Sequence, residues 1–185
     1  MNGPIHICTG YLAGRALGYR EYRFETLYVA AAAYAPDLDS LLNKLSPVFV
    51  HGVWTHTLAG VAVMSVLFAA GAAALLAVLG RKPHPGIGTL TVLAFLGGAT
   101  HLFLDAFTFY ESAADASHHL YFWPLWNFPW HINTLFPGAS YTVRVLVEVL
   151  YSLFAASIIL VYQWLCRGQN PFRMLNPRGW FREVP

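Results

Sequence analysis

The sequence predicts an all-α integral membrane bundle, with three full spans, two shorter N-terminal helices and metal-ligating side chains gathered at the outer face. Three observations set the class. Of 185 residues, 57% are hydrophobic and only 11% are charged, whereas soluble domains average roughly 45–50% apolar and ~25% charged. The mean hydropathy is +0.49, too apolar for a disordered chain and too poor in charge to cover a soluble surface. The third observation is a set of three runs, each long enough to cross a ~30 Å hydrocarbon core as a helix of roughly 20 residues. A net charge of +2 is too small to indicate a nucleic-acid binder. The expected partners are membrane lipids and a lipid-like or phosphoester substrate, with no nucleic acid.

The elements follow in order. Ile5 to Tyr19 and Phe24 to Ala35, the latter with its Ala30-Ala31-Ala32-Ala33 run, read as short helices. At ~1.5 Å per residue they cover roughly 18–22 Å, short of the bilayer core. They are expected to be buried bundle helices or a hairpin entering part of the bilayer, and alanine permits their close approach. The first span is the uncharged run Leu58 to Leu79. Arg81-Lys82-Pro83-His84-Pro85-Gly86 is a polar turn. The second span, Ile87 to Phe107, is apolar except for His101 and Asp105 near its end. A loop from Glu111 to Ser140 carries Trp123, Trp126 and Trp130, rings suited to the membrane interface. The third span, Val143 to Leu165, has Glu148 as its charge, within reach of Arg144 four positions earlier. The tail from Arg167 is basic and proline-containing.

Positive charge sets an expected orientation. With the Arg81-Lys82 turn in the cytoplasm, Arg15, Arg20, Arg23, Arg167, Arg173, Arg178 and Arg182 share that side, and only Lys44 and Arg144 lie outside. This asymmetry follows the positive-inside rule. The start of the chain lacks a basic n-region, so His6 is expected to remain in the mature protein. Cys8 and Cys166 form no CxxC pair, which leaves neither a disulfide framework nor a thiolate zinc site.

The same topology gathers the unusual residues. His6, Asp37, Asp39, His51, His56, His101 and Asp105 all fall at the outer ends of their segments. None of them was used to orient the chain. His101 and Asp105, four apart, share one helix face, and ionisable groups inside an apolar span are costly and usually functional. Asp37-Leu38-Asp39 follows a proline and reads as an extended turn. His51-Gly52-Val53-Trp54-Thr55-His56 places two imidazoles at a loop-to-helix junction, with Thr55 as the expected helix cap. A His and Asp set without Cys points to Zn²⁺, with Mn²⁺ or Fe²⁺ as alternatives. His84, His118, His119 and His131 are expected to be hydrogen-bonded or interfacial, and Glu111 and Asp115 to be solvated loop charges.

These motifs resemble the membrane-bound metal-dependent hydrolase family. The resemblance rests on Pro36-Asp37-Leu38-Asp39, on HxxxTH at His51 to His56, on HLxLDxxT at His101 to Thr108, on Trp123-Pro124, and on the early Pro-x-His at His6. It covers residues 1 to 126. It implies a hydrolase-like activity for the membrane-embedded helical domain expected over residues 1–166; the basic tail over 167–185, placed in the cytoplasm by its charge, carries no mark of the family. A more distant similarity is to zinc-dependent phospholipase C and the fungal zinc nucleases, in which an Asp, a His fourteen positions later and an HxxxD helix bind a zinc cluster. Asp37, His51 and His101-x3-Asp105 match that pattern. The later HxxxE helix is not reproduced, since Leu135 stands four after His131.

The expectation is therefore a zinc hydrolase acting on a phosphoester at the outer membrane face. One ion would be held by Asp37, His51, His101 and Asp105, and a second by His6, His56 and Asp39. Asp39, where not a ligand, would be the general base or an orienting group. The loop from Tyr121 to Trp130 would admit a lipid headgroup. The alternative is a non-catalytic membrane protein whose His/Asp site is structural or ion-binding, or a scaffold that binds a partner.

Overall fold

A computed structural model describes residues 3–17, 24–46, 48, 50–81, 86–106, 108, 110, 117–129 and 140–166. Arg20, Arg23, Lys82, His84, Phe107, Glu111, Asp115, Trp130, His131 and the tail 167–185 lie outside the described residues, as does the side chain of Arg144.

Among the described residues every regular element is helical. The helices are α1 (Gly3–Ala16), α2 (Phe24–Ala32), α3 (Asp39–Asn43), α4 (Leu58–Val78), α5 (Ile87–Asp105) and α6 (Tyr141–Val161), the last running into a π-helical turn, Tyr162–Cys166. Helices α4, α5 and α6 are each long and apolar enough to cross a membrane. They correspond to the three expected spans, with ends displaced by a few residues.

The short helices are held by protein packed against their buried faces. Helix α2 is packed between α1 and α5, and glycine allows the contact on both sides. A Cβ at Gly10 would lie 2.5 Å from Ala33 Cβ, and one at Gly97 would lie 2.7 Å from the Val29 carbonyl oxygen. Small residues at such crossings let backbones meet where no hydrophobic driving force between helices exists. Tyr28, Val29 and Ala32 of α2 then form one apolar cluster with Ala69 of α4 and Leu90, Leu93 and Ala94 of α5. Helix α6 attaches at the edge, against α1. Thr9 Oγ1 is hydrogen-bonded to the Tyr151 hydroxyl at 3.0 Å, and Arg15 donates to the Tyr162 hydroxyl at 3.0 Å.

The segment between α2 and α4 departs from two expectations. Asp37-Leu38-Asp39 is not extended. The proline at 36 disfavours continuation of α2, and Ala35–Leu38 turns as a 3-10 helix that passes directly into α3. The cap of α4 is Thr57, not Thr55. Thr57 Oγ1 accepts from the Gly60 amide at 3.0 Å. The Leu58 and Ala59 amides are met by the carbonyls of Tyr121 and Trp123, at 2.8 and 3.2 Å. The start of α4 thus has its first amides satisfied, and the aromatic loop is fastened over that end of the bundle.

Candidate metal centre

Four pieces of chain deliver seven side chains to one end of the bundle. His6 comes from the first turns of α1, Asp37 and Asp39 from the 3-10 turn and the start of α3, His51 and His56 from the approach to α4, and His101 and Asp105 from the last turn of α5. His6, His56, Asp39, His101 and Asp105 are buried. His51 is the open edge, with half of its side chain exposed.

The centre of the cluster is a pair of imidazoles. His101 Nδ1 lies 2.8 Å from the Ala33 carbonyl oxygen. A carbonyl only accepts, so Nδ1 carries the proton and Nε2 is the free donor atom. The Thr55 hydroxyl donates to Asp39 Oδ2 at 2.5 Å, and its oxygen faces His56 Nδ1 at 3.0 Å. His56 Nδ1 also lies 3.3 Å from Asp39 Oδ2. Both neighbours suit a proton on Nδ1 of His56 and leave its Nε2 pointing inward. The two Nε2 atoms face each other at 3.0 Å. Two lone pairs at that distance need a positive charge between them, either a proton or a cation.

Two carboxylates complete the cage. Asp37 Oδ1 lies 3.3 Å from His56 Nε2 and 3.6 Å from His101 Nε2. Asp105 Oδ2 lies 3.4 Å from His56 Nε2 and 3.1 Å from His101 Nε2. A tetrahedron of N and O donors around zinc, at ~2.0–2.1 Å from the ion, has edges of about 3.3–3.4 Å. Five of the six separations among His56, His101, Asp37 and Asp105, between 3.0 and 3.6 Å, bracket that value. The remaining oxygen of Asp105 lies 3.4 Å from His6 Nε2. The His6 ring stacks on His101 with centroids 3.7 Å apart, and neither of its buried ring nitrogens has a hydrogen-bond partner among the described residues. A buried imidazole whose polar contact is that 3.4 Å approach to Asp105, with no hydrogen bond, is costly. A ligand role for His6 would remove that cost, so the donor set fits a divalent ion.

The electrostatics agree. Burial would raise the Asp37 carboxyl, but His56 and His101 hold it below the usual carboxylate range. Asp39 is likewise driven well below that range, burial being outweighed by His51, His56 and Thr55. Burial would lower His56, yet the carboxylates of Asp37, Asp39 and Asp105 push it up to about 9. Buried negative charge demands compensation.

The grouping of donors differs from the expected one. His51 is bonded to Asp39, Nδ1 to Oδ1 at 2.6 Å, and not placed with Asp37, His101 and Asp105. Three groups have ligand atoms close enough to share an ion: His6, His101 and Asp105; Asp37, His56 and His101; Asp39, His51 and His56. Asp39 is saturated, since it also accepts from the Gly52 amide at 3.1 Å. The reason lies in the path of residues 35–57, which brings the loop over α3 and lays His51 on the first residue of that helix.

Four residues support the cluster in ways that the sequence does not show. Thr55 links Asp39 to His56. Gly52, at φ +82°, makes the turn between His51 and Thr55, and a Cβ there would collide with the His119 ring. His119, expected to be hydrogen-bonded or interfacial, is hydrogen-bonded: its Nδ1 lies 3.1 Å from the Gly52 carbonyl oxygen, and its ring stacks on Tyr110 with centroids 4.5 Å apart. Burial lowers its affinity for a proton, and the neighbouring charge of His56 adds to that. Tyr121, which is fully buried, is hydrogen-bonded to the Tyr110 hydroxyl. The sequence signal available was a glycine directly after a candidate ligand.

An all-helical chain with three spans and a buried His/Asp cluster at one end is an integral membrane protein with the side chains to hold a metal ion. It belongs to the YdjM inner membrane protein family, whose model matches residues 1–172. No curated protein and no solved structure gives a significant match. The family match supports the membrane half of the resemblance drawn from the motifs and gives no support to the hydrolase half.

Proposed function

We propose that this protein is a membrane-embedded metal-dependent hydrolase that cleaves a phosphoester of a lipid or another amphiphile at the outer membrane face. The observation that carries the reading is the pair of inward-facing Nε2 atoms, 3.0 Å apart, enclosed by Asp37 and Asp105. His56, His101, Asp37 and Asp105 would hold Zn²⁺, with His6 as a further ligand. Mn²⁺ or Fe²⁺ suits the same N and O donors. A bound Zn²⁺ supplies a Lewis acid for a phosphoryl oxygen and lowers the pKa of water towards ~7.

The chain's own residues do the rest. Asp39 has both oxygens engaged, by His51, Gly52 and Thr55. It therefore orients His51 and His56 rather than acting as the base itself. His51, half exposed and fixed through Nδ1, is the group placed at the mouth to take a proton from water and return it to the leaving oxygen. The basic residues expected on the opposite side support an outward-facing site. Trp54, Trp123 and Trp126 are exposed beside the tethered loop, which suits a substrate that rests in the interface.

The burial of His6, His56 and His101 favours a second reading, a non-catalytic structural or ion-binding site, or a scaffold. Elemental mass spectrometry of the detergent-purified protein, beside Asp105→Ala and His51→Ala, separates the two. The hydrolase reading expects about one or two equivalents of zinc, lost in Asp105→Ala. It also expects phosphodiester turnover that disappears in His51→Ala while the Asp37, His56, His101 and Asp105 ion is retained. Metal without turnover on any phosphoester supports the structural reading. No metal in folded protein supplied with zinc ends both metal readings.

A further inference from the structure

We propose that His119 is a positioning residue for His51, holding through Gly52 the turn that sets the His51 imidazole at the mouth of the cluster. The inference rests on the reading of that cluster as a phosphoester site with His51 as its proton-transfer group. The Gly52 carbonyl only accepts, so His119 Nδ1 carries the proton and donates it at 3.1 Å. The Gly52 amide donates to Asp39 Oδ2, also at 3.1 Å. The other oxygen of Asp39 meets His51 Nδ1 at 2.6 Å. Both polar groups of Gly52 are thus engaged, one by the carboxylate that orients His51 and one by His119.

The conformation of Gly52 explains why a second hold matters. Its φ is +82°. Glycine enters that region without steric cost, and for the same reason leaves it readily. The bond from its amide to Asp39 restrains φ. The direction of its carbonyl is set by ψ, the other soft dihedral, and that one is restrained by His119. The edge of the His119 ring also fills the space that a Cβ on Gly52 would need. His119 is itself well held. Its ring stacks on Tyr110 and, at 5.9 Å, on Tyr121, and the hydroxyls of these two tyrosines are hydrogen-bonded to each other. The backbone of the same loop receives the Leu58 and Ala59 amides on the carbonyls of Tyr121 and Trp123. The loop therefore grips the segment that carries His51 and His56 at two points. The side chain of His119 acts beside His51, and the backbone acts on the start of α4, so the two holds are separable by mutation.

The test uses the full-length protein in detergent, supplied with zinc, and bis(p-nitrophenyl) phosphate as substrate. His119→Leu removes the donor. It should lower kcat by about 10–100-fold, the scale of a displaced catalytic group, with KM and zinc content unchanged. His119→Asn carries an amide N–H one bond beyond Cγ, where Nδ1 stands in histidine, and should recover most of the loss. His118→Leu, at the exposed neighbour, should leave kcat as in wild type. Hydrogen–deuterium exchange supplies a readout that needs no turnover. In His119→Leu the Gly52 amide should exchange several-fold faster, while the Leu58 and Ala59 amides keep their rates. In the wild-type protein, nitrogen NMR of isotope-labelled histidine should show His119 protonated at Nδ1. A proton on Nε2 alone, kcat unchanged in His119→Leu, kcat falling only in step with zinc content, or His119→Asn no better than His119→Leu would overturn the inference. Faster Gly52 exchange in His119→Leu with no diester turnover in wild type keeps the hold on His51 and removes the hydrolase reading. Wild-type turnover with Gly52 exchange unchanged in His119→Leu keeps the hydrolase and removes the hold.

Discussion

Helices α5 and α6 are alike in hydropathy and length, yet their roles in the molecule are opposite. Of its most apolar stretch, α5 has 44% buried against protein, and α6 only 18%. Helix α5 touches α1, α2 and α4 and ends in His101 and Asp105, whereas α6 leans on α1. In lipid, a polar side chain survives where protein surrounds it, so chemistry is carried by the helix with the most neighbours and not by the most apolar one. Hydropathy alone, which detects both spans, does not distinguish them.

The largest effect expected from breaking this contrast is at the α5–α2 contact. Gly97→Leu would drive its side chain into the Val29 carbonyl and Ala32. It should cost at least the ~1–3 kcal/mol of an overpacked core, read as a lowered unfolding temperature in detergent. Gly88→Leu on the same helix, with open space at its Cβ, should leave that temperature unchanged. Next in size is the site. His101→Ala should weaken zinc binding by more than about a hundredfold, beyond the 10–100-fold typical of groups that merely orient ligands, while circular dichroism remains helical. Zinc at wild-type stoichiometry and affinity in this variant would remove His101 from the site. Thr55→Val, which breaks only the link between Asp39 and His56, should fall within that 10–100-fold range, measured by competition with a metal chelator.

A pH series sharpens the same comparison, because it acts at the α5 end and not on α6. His56 has its proton affinity raised from the ordinary 6.5 to about 9 by the surrounding carboxylates, against the effect of burial. A cation placed between the two Nε2 atoms must displace that proton, so zinc affinity should weaken by about tenfold for each pH unit below 9. In metal-free protein the sign is the reverse. The charged His56 contributes stability that is present below 6.5 and lost as pH rises through 9, and thermal melts in chelator should show that decline, which added zinc abolishes. The smallest effect belongs to α6. Tyr151→Phe removes one hydrogen bond to Thr9, worth ~0.6 kcal/mol within a membrane, and should leave zinc binding untouched.

The spans and the convergence of the seven polar residues were legible in the sequence because both follow from local features, apolar run length and the position of His and Asp at segment ends. What was not legible depends on the route between elements. No periodicity shows that residues 35–57 fold through a 3-10 turn and a short helix, and it is this route that lays His51 on Asp39 and leaves His56 and His101 face to face. The pairing of donors therefore differs from the expected one, even though the structure brings the same seven residues to one end of the bundle. The inward packing of Tyr121 and His119 was not legible for a related reason: their loop is rich in interface residues, and only its hydrogen bonds to the start of α4 reveal that it folds inward.

Helix α2 has a consequence for how the chain is made. Its nine residues cover roughly 14 Å, half of a bilayer core, and the neighbour that receives Val29 through Gly97 is synthesised some sixty residues later. Until α5 emerges, the alanine-rich segment has no protein surface to replace lipid on that side, and His101 and Asp105 do not yet exist. The N-terminal hairpin cannot complete its packing before α5 is made, so the His/Asp cluster closes only once α4 and α5 have both emerged.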